Sequence, residues 1–105
     1  MPLRTKFTFH RAEKRIPMEI PVFIDGHRLT PGSESTFTEN VSARGARVVS
    51  TRRWEQHEKL IFGSCTGDFR SSARVAYCQP LQGEGFAIGV EFLQPQGRWV
   101  VQSPR

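Results

Sequence analysis

At 105 residues the chain fits one domain, leaves little room for two, and can bury one modest core without disulfide help. Fifteen Lys and Arg against ten Asp and Glu give a formal charge of +5, which suits an anionic partner without choosing among nucleotide, nucleic acid, acidic protein and membrane surface. The charges are dispersed rather than blocked, the N-terminus has no apolar signal core, and no apolar run nears the roughly 20 residues of a membrane helix, so a soluble, cytoplasmic protein without membrane insertion is expected.

In chain order, Met1 to His10 has no clear period and reads as a short strand or an arm. Arg11 to Arg15 is charged and precedes Pro17, which biases Ile16 away from helix, so it reads as a loop. Ile16, Met18, Ile20, Val22 and Ile24 share one phase of a period-2 pattern, which predicts a half-buried strand. Pro17 and Pro21 on the other phase predict that it lies at a sheet edge. Glu34 to Glu39 predicts a second strand and Ala46 to Ser50 a third, with a polar turn from Asn40 to Gly45 between them. Thr51 to Glu58 reads as a loop or one helical turn around Trp54. Lys59 to Ser64 is the fourth strand, and Ser71 to Gln79 the fifth, with Ala73, Val75 and Tyr77 sharing one face. Phe86, Ile88, Val90 and Phe92 mark the sixth strand, in a hairpin with the fifth. Six short strands with regular turn signals predict an all-β barrel or sandwich. The predicted organisation is a flexible arm and loop over 1–15, a barrel over 16–95 and a tail over 96–105, with at most a short C-terminal helical turn.

Two motifs stand out. Arg11 and Arg15 form R-x-x-x-R just before the first strand, and Asn40, Ser42 and Gly45 form N-x-S-x-x-G between the second and third. In extended backbone Asn40 and Ser42 fall on one face while Val41 points inward, so two short polar groups would stand on the barrel surface, suited to a base edge, a ribose hydroxyl or a phosphate oxygen. Gly45 permits a conformation or a close approach that a Cβ would block.

In that order, on a β-rich chain of this size, the two motifs resemble the PilZ domain, the bacterial receptor module for cyclic di-GMP. The final strand, Gly85 to Phe92, is similar to the family's last barrel strand, so the resemblance runs from about Arg11 to Phe92. It implies a six-stranded antiparallel barrel, a cytoplasmic receptor, and ligand contacts from Arg11, Arg15, Asn40, Ser42 and Gly45, with His10, Arg44 and Arg47 as auxiliary candidates. The ligand fits those residue types: it carries two phosphodiesters and two guanines, and an arginine fork matches both a phosphate and the O6/N7 edge of guanine. The implied mechanism is that the arm folds against the Asn40 and Ser42 face and the reshaped surface engages a downstream protein.

Two other readings compete. A small β-barrel for single-stranded nucleic acid would suit the charge, yet no strand shows clustered exposed aromatics, which speaks against it. A PilZ-like scaffold for protein partners alone would bind no nucleotide. Trp54, Trp99 and Tyr77 read as packing residues, and Arg44 and Arg47 are as well explained by solvated surface. His10, His27 and His57 have no ligand spacing, so neither metal nor cofactor is expected. Cys65 and Cys78 form no C-x-x-C pair and read as reduced, partly buried thiols. No nucleophile–base pair or carboxylate pair is evident, so a receptor rather than an enzyme is expected.

Overall fold

A computed structural model of the chain describes residues 14–102. Among these there is no helix; eight strands follow in order, β1 (Ile16–Pro17), β2 (Pro21–Asp25), β3 (Glu34–Ser42), β4 (Gly45–Ser50), β5 (Lys59–Ser64), β6 (Phe69–Pro80), β7 (Phe86–Phe92) and β8 (Gln96–Gly97). Six of them close a barrel in the order β3-β2-β5-β6-β7-β4, with β4 returning to β3, and every pairing is antiparallel. The short β1 adds to β3, and β8 to β6. Alternation makes the core: Val22 and Ile24 of β2, Val41 of β3, Val48 of β4, Phe62 of β5, Val75 of β6 and Ile88 of β7 all point inward and are fully buried.

The two tryptophans complete the core at opposite ends of β4. Near its start, Trp99 packs on Phe62, Phe69 and Phe92 with ring centroids 4.8–5.5 Å apart, and its indole N–H donates to the Ser42 carbonyl at 2.8 Å. Past its end, the Trp54 N–H donates to Ser50 Oγ at 3.2 Å while the His27 ring meets its indole edge-on at 4.6 Å. Both tryptophans therefore pack, and neither offers a face on which a single-stranded nucleic acid could stack.

Several sequence expectations need correction. The first strand is not continuous: between Met18 and Ile20 the Thr38 hydroxyl is inserted beside the remaining backbone bonds, accepting from the Ile20 N–H at 2.9 Å and donating to the Met18 carbonyl at 2.7 Å. The register against β3 also slips by one residue across this break, since Pro17 lies opposite Asn40 but Pro21 lies opposite Phe37. Nor is β2 an edge, since it pairs with both β3 and β5. Pro21 is tolerated because it is the strand's first residue, where its carbonyl still accepts from Cys65 N–H at 3.1 Å. The polar turn is shorter than expected, because β3 runs through Asn40 to Ser42 and only Ala43 and Arg44 turn the chain. Tyr77 does not share the inward face of Ala73 and Val75, since a register shift between Val75 and Tyr77 reverses the phase of β6 and leaves Tyr77 half-buried. Cys65 is exposed rather than partly buried, because it falls in the turn after β5.

The loop between β4 and β5 is tied down by charge. Arg28 donates to Glu58 at 2.8 Å and reaches Glu55 at 3.5 Å, and the second Glu58 oxygen accepts from the Glu55 N–H at 2.7 Å. Burial pushes the Glu58 carboxyl up, but the Glu55 N–H and the Arg28 guanidinium together outweigh it and hold the group below its usual range. A carboxyl depressed in the folded state stabilises the fold above its unfolded pKa, and that contribution is lost as pH falls through the folded value. Glu58→Gln is therefore expected to lower stability at neutral pH, with the gap from wild type closing below about pH 4; urea titrations across pH read it directly. Truncating Trp99 to Ala should cost about 3–5 kcal/mol in the same assay, and Trp99→Phe, which keeps a ring but loses the N–H donor, about 1 kcal/mol beyond its smaller packing loss.

Candidate functional site

Two residues of strand bring the sequence motifs together. β1 lies antiparallel to β3 with Ile16 opposite Val41 and Pro17 opposite Asn40. Continuing that register brings Arg15 level with Ser42. There the Arg15 Nη1 donates to Asn40 Oδ1 at 2.9 Å, at the protein surface. Beside this pair lies a cleft of about 250 Å3, lined by Arg15, Ser42, Arg44, Gly45, Tyr77 and Gly89 among others. Arg11 and His10 lie outside the described residues.

Within N-x-S-x-x-G each residue has a distinct place. Asn40 is half-buried and its side chain faces Arg15. Ser42 does not stand on the surface beside it as alternation suggested; it is fully buried. The tight turn brings its hydroxyl to the Gly45 carbonyl, to which it donates at 3.4 Å, and the Trp99 indole covers its own carbonyl. Gly45 serves close approach: a Cβ there would stand 2.2 Å from the Val90 carbonyl oxygen of β7. Its backbone needs no left-handed conformation, since its φ is not among the positive ones. Arg44 is exposed on the turn itself.

Arg47 is engaged in the barrel wall. Its Nε donates to Glu39 at 2.8 Å, its Nη1 donates to the Tyr77 hydroxyl at 3.1 Å and to Gln79 at 2.9 Å, and the guanidinium lies 5.7 Å from the Tyr77 ring centroid. The hydrogen bond to Glu39, then that to Tyr77, raises its already high pKa against the opposing effect of burial, so it is a fixed cation. On the cleft's far side Glu91 is ion-paired with Arg74, which offsets the one carboxylate in the lining.

Tyr77 and Gly89 are the site residues that the sequence motifs do not contain. They are paired across β6 and β7, and a Cβ at position 89 would stand 2.2 Å from the tyrosine ring, so the ring lies flat on the glycine. The signal was present: a lone glycine in the middle of an apolar, alternating strand, opposite an aromatic residue. Among the described residues no group of three or more His, Cys, Asp or Glu could hold a metal ion, and no helix is long and apolar enough to cross a membrane.

A closed six-stranded barrel, with Arg15 just before its short entry strand and bonded to an N-x-S-x-x-G hairpin, defines a small antiparallel β-barrel domain. Residues 9–98 match the family model of the PilZ domain, and the chain belongs to that family, one of cyclic di-GMP receptors and adaptors. A similar solved structure is that of the Bacillus subtilis inhibitor of motility, MotI/DgrA, with a TM-score of 0.64 at 17% identity. The match covers 89% of this chain and 44% of that one, so the chain spans less than half of that protein's length, and the likeness is one of fold. No curated protein matches the chain.

Because the obstacle at position 45 is backbone rather than a movable side chain, Gly45→Ala must part β4 from β7. A loss of about 2–3 kcal/mol is expected from overpacking, measured by urea denaturation. Gly63→Ala, at a glycine that likewise has no positive φ but is blocked chiefly by the far end of the Phe23 ring, is the comparison and should cost less.

Proposed function

We propose that this PilZ domain binds cyclic di-GMP in the cleft between Arg15 and the β3–β4 hairpin, and relays that binding to a downstream protein by a change of conformation. The observation that carries the reading is the 2.9 Å hydrogen bond from Arg15 to Asn40, which joins two motifs separated by 25 positions. That bond uses one of five guanidinium N–H donors, leaving a fork for a phosphate or a guanine O6/N7 edge. Arg44 adds a second exposed cation to the lining. Arg11, by its spacing, supplies another from the chain leading into β1. Asn40 keeps a carboxamide N–H2 to donate to ligand oxygen while its oxygen orients Arg15. Ser42 and Gly45 act from beneath, shaping the hairpin on which the ligand rests.

The relay follows from the same geometry. β1 is only two residues long, so little ladder holds Arg15 in place, and a ligand bridging Arg15 to the hairpin selects one placement of that segment. The shift is limited to the ligand's differential affinity for the two placements.

Isothermal titration calorimetry with cyclic di-GMP tests the reading. Binding at micromolar ligand is expected. Arg15→Ala should weaken it by the roughly 1.5–3 kcal/mol of charge-assisted hydrogen bonds, about 10- to 150-fold. Arg98→Ala, an exposed cation outside the cleft lining, should leave it nearly unchanged. Absence of heat and of chemical-shift change at micromolar ligand would sink the proposal.

A further inference from the structure

A second, larger cleft, of about 440 Å3, opens beside the loop that follows β4. Phe86, Cys78 and Pro80 give it apolar surface beside the buried Trp54, Arg53 and Glu55 lie in its lining, and Tyr77 borders this cleft as well as the first. What distinguishes it is the strand along it. β6 is twelve residues long, and its neighbours do not run its full length. β5 pairs with it only as far as Lys59 opposite Arg74. Beyond that, Val75 exchanges backbone bonds with Glu58 and His57 at 2.8 and 2.7 Å, and Gln56 Nε2 donates to the Ala76 carbonyl at 3.1 Å. From Tyr77 to Pro80 the strand pairs with β7 alone, and among the described residues no backbone hydrogen bond reaches it from the loop. Because hydrogen-bonding direction alternates along a strand, part of this segment's N–H and C=O groups face away from β7, toward the cleft. Pro80, with no N–H, marks where the open edge ends.

The charges beside this edge favour an anionic guest. Arg28 engages both Glu55 and Glu58, and Arg52 engages Glu34, whereas the Arg53 guanidinium has no acidic partner among the described residues. The chain as a whole carries +5.

We propose that the open edge of β6 at Tyr77 to Gln79 docks an extended acidic peptide segment of a partner protein, added to the sheet as one more strand. Main-chain bonds to β6 hold it, an apolar side chain settles against Phe86 and Cys78, and a carboxylate pairs with Arg53. The edge offers about 10–13 Å of strand, enough for three or four residues. This surface is distinct from the Arg15 and Asn40 pair, and the proposal stands independently of nucleotide binding.

Cys78 lies in the cleft and serves as the reporter. In Cys65→Ser protein it is the sole thiol, and its alkylation by iodoacetamide is timed without nucleotide, together with deuterium exchange at the Cys78 amide, which faces away from β7. The probes are a short acetylated peptide of alternating valine and glutamate, its backbone N-methylated form, and the version with lysine in place of glutamate. The glutamate peptide is expected to slow Cys78 alkylation roughly tenfold at ten times its dissociation constant, and to slow exchange at the Cys78 amide. The N-methylated and lysine peptides should do neither, and Arg53→Glu should abolish the protection. No protection by the glutamate peptide up to millimolar concentration, or equal protection by its N-methylated form, overturns the proposal. Either result leaves the calorimetric test of cyclic di-GMP untouched.

Discussion

The structure depends on how closely β4 approaches its neighbours at Gly45. The Val90 carbonyl occupies the space where a side chain would start, so β7 and β4 meet edge to edge at the point where the β3–β4 hairpin turns. That contact closes the barrel. It also fixes the hairpin, because Ser42 stands opposite Gly45 and bonds to its carbonyl, while the Trp99 indole bonds to the Ser42 carbonyl from the aromatic cluster at that end. Closure, hairpin shape and the anchoring of the C-terminal segment are one local arrangement. A residue that looks like a ligand contact from its spacing thus also lets β4 and β7 pack closely.

The cleft is built on that rigid hairpin by an element of contrasting character. Two residues of β1 suffice to lay Arg15 along the hairpin, and one hydrogen bond to Asn40 orients its guanidinium. The surrounding cations are not equivalent. Arg47 is locked to Glu39, Tyr77 and Gln79 and acts as part of the wall. Arg15 and Arg44 lie exposed at the opening. In the proposed function, this fixed wall with exposed cations at its lip would serve a ligand with two phosphodiesters and two guanines, because the wall keeps its shape while the lip adjusts.

Much of this was legible in the residues. The alternation of Phe86 to Phe92 and of Lys59 to Ser64 gave strands at the observed places, since one buried face forces a period of two. The two tryptophans, read as packing residues, are buried. Less legible were features set by partners distant in sequence. The break between β1 and β2 depends on Thr38, far downstream, whose hydroxyl takes over both the Ile20 N–H and the Met18 carbonyl. The outward turn of Tyr77 depends on a register shift against β7, which no local period reports. Prolines at positions 17 and 21 suggested a sheet edge, which holds for β1, paired with β3 alone, but not for β2, where a proline at the first residue lets the strand sit inside the barrel.

The sequence by itself determined that this is an all-β domain of one core, with arginines before the first strand and a small polar hairpin between the second and third. Those features follow from side-chain chemistry and from a period imposed by burial, both of which are local. Only the tertiary structure decided which of those residues meet: that Arg15 reaches Asn40, that Ser42 is buried beneath the hairpin rather than displayed on it, and that Tyr77 faces the cleft across Gly89. The reason is that strand pairing, register shifts and barrel closure are relations between segments far apart along the chain, and no single segment carries them.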